Sequence, residues 1–192
     1  MSRPSERLRQ AGHELVELDR AVHAAVQATP TPQIDHALAR MSRAADRSLL
    51  WMGVATAMSV SGPRRRRAAV VGMLALGATS ATVNLVVKQG PKRGRPSVER
   101  SVRTHGVRMP ASHSWPSGHS ASAFAFSTAA GAEAPELDTA LRLVATVVAY
   151  SRVHTGVHYP GDVIAGAVIG AGIGSLAHHV AGRVAPRLTS CG

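Results

Sequence analysis

The stretch Ala68–Val87, AAVVGMLALGATSATVNLVV, is a run of twenty residues without a charge. A helix of that length can cross the hydrocarbon core of a bilayer. Two further uncharged runs, Ser48–Gly62 and Val163–Ala177, lie on either side of it along the chain. The sequence therefore predicts an integral membrane protein.

Five segments are predicted to span the membrane, which makes the expected fold all-α: an integral membrane helical bundle. The third and fourth segments are short and rich in Ala, Ser and Thr, so we expect them inside the bundle, where small residues allow close helix approach. In the fifth, small residues recur on one face and predict tight helix packing; they are Gly166, Gly170 and Gly174. The predicted spans are roughly 47–62, 68–88, 117–132, 139–152 and 162–181.

The N-terminal segment is predicted to form an amphipathic helix. Apolar residues recur at helical spacing from Leu8 to Val26, with charged residues between them. Such a helix either packs on the rest of the protein or lies in the membrane interface, and the pattern leaves both open. The expected organisation is an amphipathic segment at 1–46, a transmembrane domain at 47–182 and a short tail at 183–192.

The formal net charge of +11 raises the question of an anionic partner. The basic residues form blocks between apolar runs, as in Arg64–Arg67 and Lys88–Arg108, and are not interleaved with aromatic residues. Nucleic-acid binding is therefore not expected. Basic blocks beside membrane spans instead set topology or bind lipid phosphates, so the expected partners are the bilayer and a lipid phosphate.

Three polar clusters each lie at the end of a predicted span. Any one of them alone has an ordinary explanation, such as a basic loop or a capped helix. Together they supply cations, helix amides, two histidines and a carboxylate. Their residues are Lys88 and Arg95 in the first cluster, Ser117, Gly118 and His119 in the second, and Arg152, His158 and Asp162 in the third.

The second cluster is predicted to open a helix. Pro116 suits the first turn, because its missing N–H would be unsatisfied there. The amides of Ser117, Gly118 and His119 would then point out of the helix N-terminus and form an anion site.

The combined chemistry fits phosphoryl transfer without a metal. Arginine and lysine neutralise phosphate oxygens, and a carboxylate can hold one histidine in the tautomer that acts as a nucleophile. The alternative is a metal face formed by His154, His158 and Asp162, which are spaced by four and four. Pro160 and Gly161 disfavour it, because they break the helix before Asp162. No metal or other cofactor is expected.

In order and spacing, the three clusters resemble the signature of the type 2 phosphatidic acid phosphatase (PAP2) superfamily. The matching motifs are Lys88-x6-Arg95-Pro96, Pro116-Ser117-Gly118-His119 and Ser151-Arg152-x5-His158-x3-Asp162, and no motif position departs from the pattern. The motifs and their connecting helices cover roughly residues 70–180. Many members have six spans, whereas this sequence predicts five and an amphipathic segment where a first span could lie.

The resemblance implies a PAP2-like phosphatase domain at 47–182 and a role for each motif residue. His158 would attack phosphorus to form a phosphohistidine, Asp162 would orient His158, and His119 would protonate the leaving alcohol. The phosphate would be held by Lys88, Arg95, Ser117, Gly118 and Arg152.

The expected function is hydrolysis of a lipid phosphate monoester of the phosphatidate type. The alternatives are a polyprenyl phosphate or pyrophosphate substrate and a non-enzymatic lipid-phosphate binding protein. If Arg64–Arg67 is cytoplasmic, the three motifs face outward, which is the orientation we expect. The basic segment Lys88–Arg108 would then also lie outside, and five spans from a cytoplasmic N-terminus would instead place the site inside.

Overall fold

A computed structural model describes residues 4–85, 87, 92–96, 107–109 and 111–189. All of the regular structure in these ranges is helical. The helices are α1 (Pro4–Ala28), α2 (Pro32–Ala44), α3 (Leu49–Val60), α4 (Pro63–Leu85), α5 (Gly118–Glu133), α6 (Pro135–His154) and α7 (Pro160–Thr189), with a 3₁₀ turn at Asp46–Ser48 between α2 and α3. The all-α prediction is confirmed.

Local sequence explains where several of these helices begin and end. Proline stands in the first turn of α2 and α6, where its missing N–H costs no hydrogen bond. Ser117 caps α5, because its hydroxyl accepts a hydrogen bond from the amide of Ser120. After α6, Gly156 adopts a φ of 73°, a conformation that glycine reaches without strain and that ends the helix.

Helix α5 is the centre of the bundle and packs against α4, α6 and α7. Most of its residues are small, and most are buried. Trp51 of α3 and Phe126 of α5 stack with ring centroids 4.9 Å apart and fill the core where α3, α4, α5 and α6 meet. The prediction that the Ala- and Ser-rich third segment lies inside a bundle is confirmed.

The contact between α5 and α7 depends on the predicted glycine face. A Cβ atom at Gly166, Gly170 or Gly174 would overlap the backbone of α5 at Ser117, Ala121 and Ala125. The two helix backbones therefore lie against each other, as small residues at every fourth position allow. This close approach sets the start of α5 beside the start of α7.

Two helices of the described chain are long and apolar enough to cross a membrane: α4 and the part of α7 at Pro160–Val184. The apolar side chains of α7 are largely exposed on its outer surface, as in Val168 and Leu176. At 1.5 Å per residue, α3 is only about 18 Å long, short of a hydrocarbon core of about 30 Å. All five predicted segments form helices, and a count of five spans stays a prediction.

Helix α1 docks through polar groups and leaves its apolar face outward. Asp19 accepts a hydrogen bond from the amide of Gly161, and Gln27 donates to the carbonyls that end α6. Leu8, Leu15 and Leu18 remain exposed. Of the two alternatives for this helix, the exposed apolar face is the arrangement that a helix in the membrane interface requires.

Candidate active site

A cleft of about 220 Å³ lies at the C-terminal end of α4 and the N-terminal end of α5. Four of the predicted site residues line it, namely Arg95, Gly118, His119 and His158. The remaining wall comes from the turn between α2 and α3, from the first turns of α3 and α5, from the last turns of α4 and from the loop before α5. Its lining residues are Ala45, Arg47, Ser48, Trp51, Ser80, Val83, Asn84, Ser112 and Ser122.

His158 and Asp162 face each other across the loop that joins α6 to α7. His158 Nδ1 lies 3.5 Å from Asp162 Oδ2, and the Asp162 side chain is fully buried. Only 2% of His158 is exposed. Burial lowers the pKa of His158 to about 4, because a charged imidazole is disfavoured away from water. The imidazole is therefore neutral at physiological pH.

The contact between Arg95 and His158 identifies the tautomer of that neutral ring. Arg95 Nη1 lies 3.2 Å from His158 Nε2. A guanidinium can only donate hydrogen bonds, so Nε2 is the acceptor and carries the lone pair. The proton then sits on Nδ1, the nitrogen that faces Asp162. A neutral histidine with its Nε2 lone pair at a cleft has the form required of a nucleophile.

Asp162 is held by three further groups. The hydroxyl of Ser114 and the amide of Tyr159 donate to its Oδ2 atom, and Arg93 Nη1 donates to Oδ1 at 3.1 Å. Arg93 also forms an ion pair of 2.6 Å with Asp19 of α1 and lies 4.1 Å from the centre of the Tyr159 ring. The orientation of Asp162 is thus linked to the docking of the N-terminal helix.

The start of α5 differs from the prediction in one respect. Pro116 precedes the cap instead of entering the first turn, and the helix begins at Gly118. The amide of Ser117 donates to the carbonyl of Asp162 at 2.9 Å, because the glycine face of α7 brings these two helix starts together. The Ser117 N–H is therefore engaged within the fold, whereas the sequence predicts it to be free for an anion.

His119 stands in the first turn of α5 and is hydrogen-bonded to a residue that the sequence did not single out. Its Nε2 atom lies 2.8 Å from Oδ1 of Asp46, in the turn between α2 and α3. The hydrogen bond with His119 lowers the pKa of Asp46, so this carboxyl is ionised.

Arg152 lies behind the cleft with no exposed surface. Its Nη1 atom donates to the hydroxyl of Ser42 at 2.5 Å and lies 3.9 Å from Asp46 Oδ1. Its Nε and Nη2 atoms have no hydrogen-bond partner. A buried guanidinium with unmet donors has the character of an anion site.

Arg95 is in the opposite situation, since its donors are all engaged. Besides His158 they reach the carbonyl of Val157 and three acceptors on the loop before α5. An anion entering the cleft would have to replace one of these contacts.

Two further predictions concern Lys88 and His154. Lys88 lies outside the described residues. His154 Nε2 lies 2.8 Å from Asp35 of α2, so the imidazole is engaged away from His158. In the described ranges, no group of three or more His, Cys, Asp and Glu side chains could hold a metal ion.

The residues that sequence reasoning missed are Asp46, Arg93, Ser114 and Asp19. Arg93 lies inside the basic segment Lys88–Arg108, and Ser114 lies two positions before the second motif. An arginine two positions before a motif arginine and a serine before Trp115 carry no distinguishing pattern. Asp46 is the last residue of the segment 1–46, which was predicted to be only amphipathic. Nothing in the local sequence could have marked it.

The family model described as "PAP2 superfamily" matches residues 68–185. Decaprenylphosphoryl-5-phosphoribose phosphatase of Mycobacterium tuberculosis is 34% identical over 136 residues, which cover 69% of this chain and 72% of that relative.

Two solved structures have a similar fold. A transmembrane PAP2 type phosphatidylglycerolphosphate phosphatase from Bacillus subtilis matches with a TM-score of 0.70 and 21% identity, over 89% of this chain and 88% of that one. LpxE of Aquifex aeolicus matches with a TM-score of 0.65 and 22% identity, over 83% of this chain and 94% of that one. With a family match over more than half of its length and four described motif residues lining one cleft, the chain belongs to the PAP2 superfamily and is a membrane phosphatase, a phosphoric monoester hydrolase.

Proposed function

We propose that this enzyme hydrolyses the terminal phosphate monoester of a membrane lipid through a phosphohistidine at His158, without a metal. The observation that carries the proposal is the state of His158. Its ring is neutral because of burial, and its Nε2 lone pair is directed at the Arg95 donor in the cleft. A nucleophile with that protonation state needs no separate base to activate it.

The first chemical step joins His158 to phosphorus. A phosphate oxygen takes over the Arg95 Nη1 donor, which releases the lone pair of Nε2 for in-line attack. The Nε2–P bond forms as the P–O bond to the lipid alcohol breaks. The imidazole ring becomes positively charged, and the ionised Asp162 beside Nδ1 stabilises that charge.

His119 supplies the proton that the leaving alcohol needs. It lines the same cleft as His158. In the second step a water attacks phosphorus, and His119, now neutral, takes its proton. The N–P bond breaks, inorganic phosphate leaves, and both histidines return to their starting states.

In this scheme some phosphate-binding donors have no hydrogen-bond partner in the empty site, and others must give up an existing one. Arg152 offers two unpartnered N–H groups, and Gly118 leaves open space at the first turn of α5, where helix amides favour an anion. Arg95 exchanges one existing contact. We assign Lys88 to the same task from the motif alone. Ser117 contributes by capping α5 and by joining it to α7, not through its amide.

The substrate class follows from the position of the cleft and from a relative. The cleft opens at one end of a long apolar helix, where a lipid presents its phosphate at the interface. The relative from M. tuberculosis is named for a decaprenyl-linked phosphate. This supports a polyprenyl-linked phosphate over the competing candidate, phosphatidate.

The site is proposed to face the extracytoplasmic side. Arg64–Arg67 begins α4, and the cleft residues Val83 and Asn84 end it. The helix is about 35 Å long, so the basic block and the cleft lie on opposite sides of the membrane. A cytoplasmic basic block then puts the cleft outside.

The experiment that tests this function is phosphate release in detergent with EDTA present. The substrates are phosphatidate, a polyprenyl phosphate, a polyprenyl pyrophosphate, a polyprenyl-linked sugar phosphate and a soluble sugar phosphate. We expect release from a polyprenyl-linked monoester by the wild type and none by His158→Ala. Activity that EDTA abolishes and a divalent ion restores would overturn the metal-free mechanism.

A further inference from the structure

Asp46 stands between two motif residues that come from different helices. Its Oδ1 atom lies 2.8 Å from Nε2 of His119 on α5 and 3.9 Å from Nη1 of Arg152 on α6. Asp46 precedes the family match, which begins at residue 68. It therefore belongs to no motif and yet touches the second motif and approaches the third.

The backbone around Asp46 holds it at the cleft. The residues that follow, Arg47 and Ser48, both adopt left-handed conformations, with φ values of 51° and 61°. Such conformations are costly for residues other than glycine and persist where the surrounding structure demands them. On the preceding helix, Ser42 accepts a hydrogen bond from Arg152. The turn is thus fixed on one side to the cation behind the cleft.

His119 is surrounded mainly by cations, so an anion in contact with its ring affects its protonation. Asp162 faces His158, and Asp46 is the carboxylate in contact with His119. The other charged and titratable groups described around the cleft are cations or a neutral histidine. They are Arg47 in the turn, Arg95 in the loop before α5, Arg152 on α6 and His158 before α7; the nearby polar residues of α4, Ser80 and Asn84, are uncharged. Cations disfavour a protonated imidazole, and at His119 they are offset by Asp46, the carboxylate hydrogen-bonded to its ring.

We propose that Asp46 is a positioning residue for His119, which it orients and keeps protonated for delivery of a proton to the leaving alcohol. This rests on the proposed function, in which His119 is the acid. As the P–O bond breaks, the alcohol oxygen takes the proton on Nδ1 of His119. The Nε2–H group stays bonded to Asp46, so the product is a neutral imidazole still oriented by the carboxylate.

A different role for Asp46 makes opposite predictions. A carboxylate beside His119 and Arg152 could instead occupy the place of the substrate phosphate and hold the empty site closed. In that case its removal would increase activity. If Asp46 only stabilised the turn, its removal would affect all substrates equally.

The test compares two leaving groups. An alkyl phosphate needs an acid, because its alcohol is a poor leaving group, whereas p-nitrophenyl phosphate releases a stable anion that does not. The values of kcat/KM report the step that breaks the P–O bond. The variants are Asp46→Asn, Asp46→Glu and His119→Gln. Asp138→Asn is the matched control, since Asp138 pairs with Arg142 near the start of α6, at the end opposite Arg152.

For Asp46→Asn we expect kcat/KM to fall about 30-fold or more with the alkyl phosphate and less than about 3-fold with the aryl phosphate. In the pH profile of kcat/KM, the alkaline limb should move to lower pH by about one unit in Asp46→Asn, because no carboxylate then favours the imidazolium form of His119. His119→Gln should show the same substrate dependence, Asp46→Glu should regain part of the loss, and Asp138→Asn should match the wild type. Equal losses on both substrates, or a gain of activity, would overturn the proposal.

A second measurement does not depend on catalysis. In protein labelled with ¹⁵N-histidine, the imidazole signal that His119→Gln removes identifies His119. Its titration midpoint should fall in Asp46→Asn and stay unchanged in Asp138→Asn. An unchanged midpoint in Asp46→Asn would refute the role of Asp46 even if the enzyme hydrolysed none of the lipids. A wild-type enzyme that hydrolysed none of the lipids, while the His119 midpoint still fell in Asp46→Asn, would instead refute the proposed function alone.

Discussion

The Nη1 atom of Arg95 donates a hydrogen bond to Nε2 of His158 across 3.2 Å. This one contact fixes the tautomer of the proposed nucleophile and blocks its lone pair until an anion takes the donor. The resting site is thereby protected: His158 becomes available when a phosphate oxygen replaces it as the acceptor.

Removal of the nucleophile should abolish turnover. We expect His158→Ala to lower kcat by at least about 10³-fold, because the variant lacks the imidazole lone pair that attacks phosphorus in this scheme. His13→Ala is the matched control, since His13 is exposed on α1 away from the cleft. Phosphate release from the preferred lipid is the measurement. Turnover within tenfold of the wild type would contradict the assignment.

The pH dependence should reveal a histidine with an unusually low pKa. Burial lowers the pKa of His158 to about 4, so its lone pair is lost only as the pH falls through that value. We expect kcat/KM to have an enzyme-derived acid limb near pH 4. The substrate phosphate titrates at about pH 6, and its ionisation is measured separately by ³¹P chemical shift. An enzyme limb near pH 6.5, the ordinary value for histidine, would show that His158 is not desolvated.

Arg93 should support catalysis from outside the cleft. It holds Oδ1 of Asp162 and bridges that residue to Asp19 on α1. We expect Arg93→Gln to lower kcat about 10- to 100-fold with little change in KM, because the orientation of Asp162 loosens while phosphate binding persists. Arg142→Gln, which alters an exposed pair on α6, should behave like the wild type. A large rise in KM with unchanged kcat would mean that Arg93 binds substrate instead.

The glycine face of α7 supplies a stability prediction with an internal control. A side chain at Gly170 would overlap the backbone of Ala121, whereas Gly172 has open space around its Cβ position. Gly170→Val should destabilise the protein by about 3 kcal/mol or more, and Gly172→Val by far less. Thermal unfolding in detergent measures both. Equal melting temperatures for the two variants would contradict the close packing of α5 against α7.

Membrane orientation can be read with single cysteines. In a Cys191→Ser background, Ala111→Cys places a thiol in the loop next to the cleft, and Ser61→Cys places one at the opposite end of α4. A membrane-impermeant maleimide should label Ala111→Cys in intact cells and Ser61→Cys only after lysis. The reverse pattern would place the active site in the cytoplasm.

The sequence predicted the reacting and phosphate-binding residues of the site more fully than the residues that hold them in place. The three motifs are local, and residue type with spacing suggested that His119, His158 and Arg95 would share one site; the structure places all three at one cleft. The partners of those residues come from distant parts of the chain. Asp46 meets His119 across 73 positions, and Asp19 reaches Gly161 across 142.

The hydrogen bond from the Ser117 amide to Asp162 shows why such contacts could not be predicted from the sequence. A helix start normally presents free N–H groups, so the sequence pointed to three donors for an anion. The small face of α7 lets the two helices approach until Ser117 bonds to the carbonyl of Asp162. That outcome depends on how far two helices approach each other, which no local pattern records.

The central claim is the covalent intermediate at His158, and trapping it is the most direct test. Enzyme in detergent with EDTA would be mixed with ³²P-labelled lipid phosphate and quenched in alkali, where phosphohistidine survives. The account predicts label on the peptide that contains His158, with none in His158→Ala and full labelling in His13→Ala. Rapid phosphate release by the wild type with no labelled protein at any time would contradict it, since water would then attack the substrate directly.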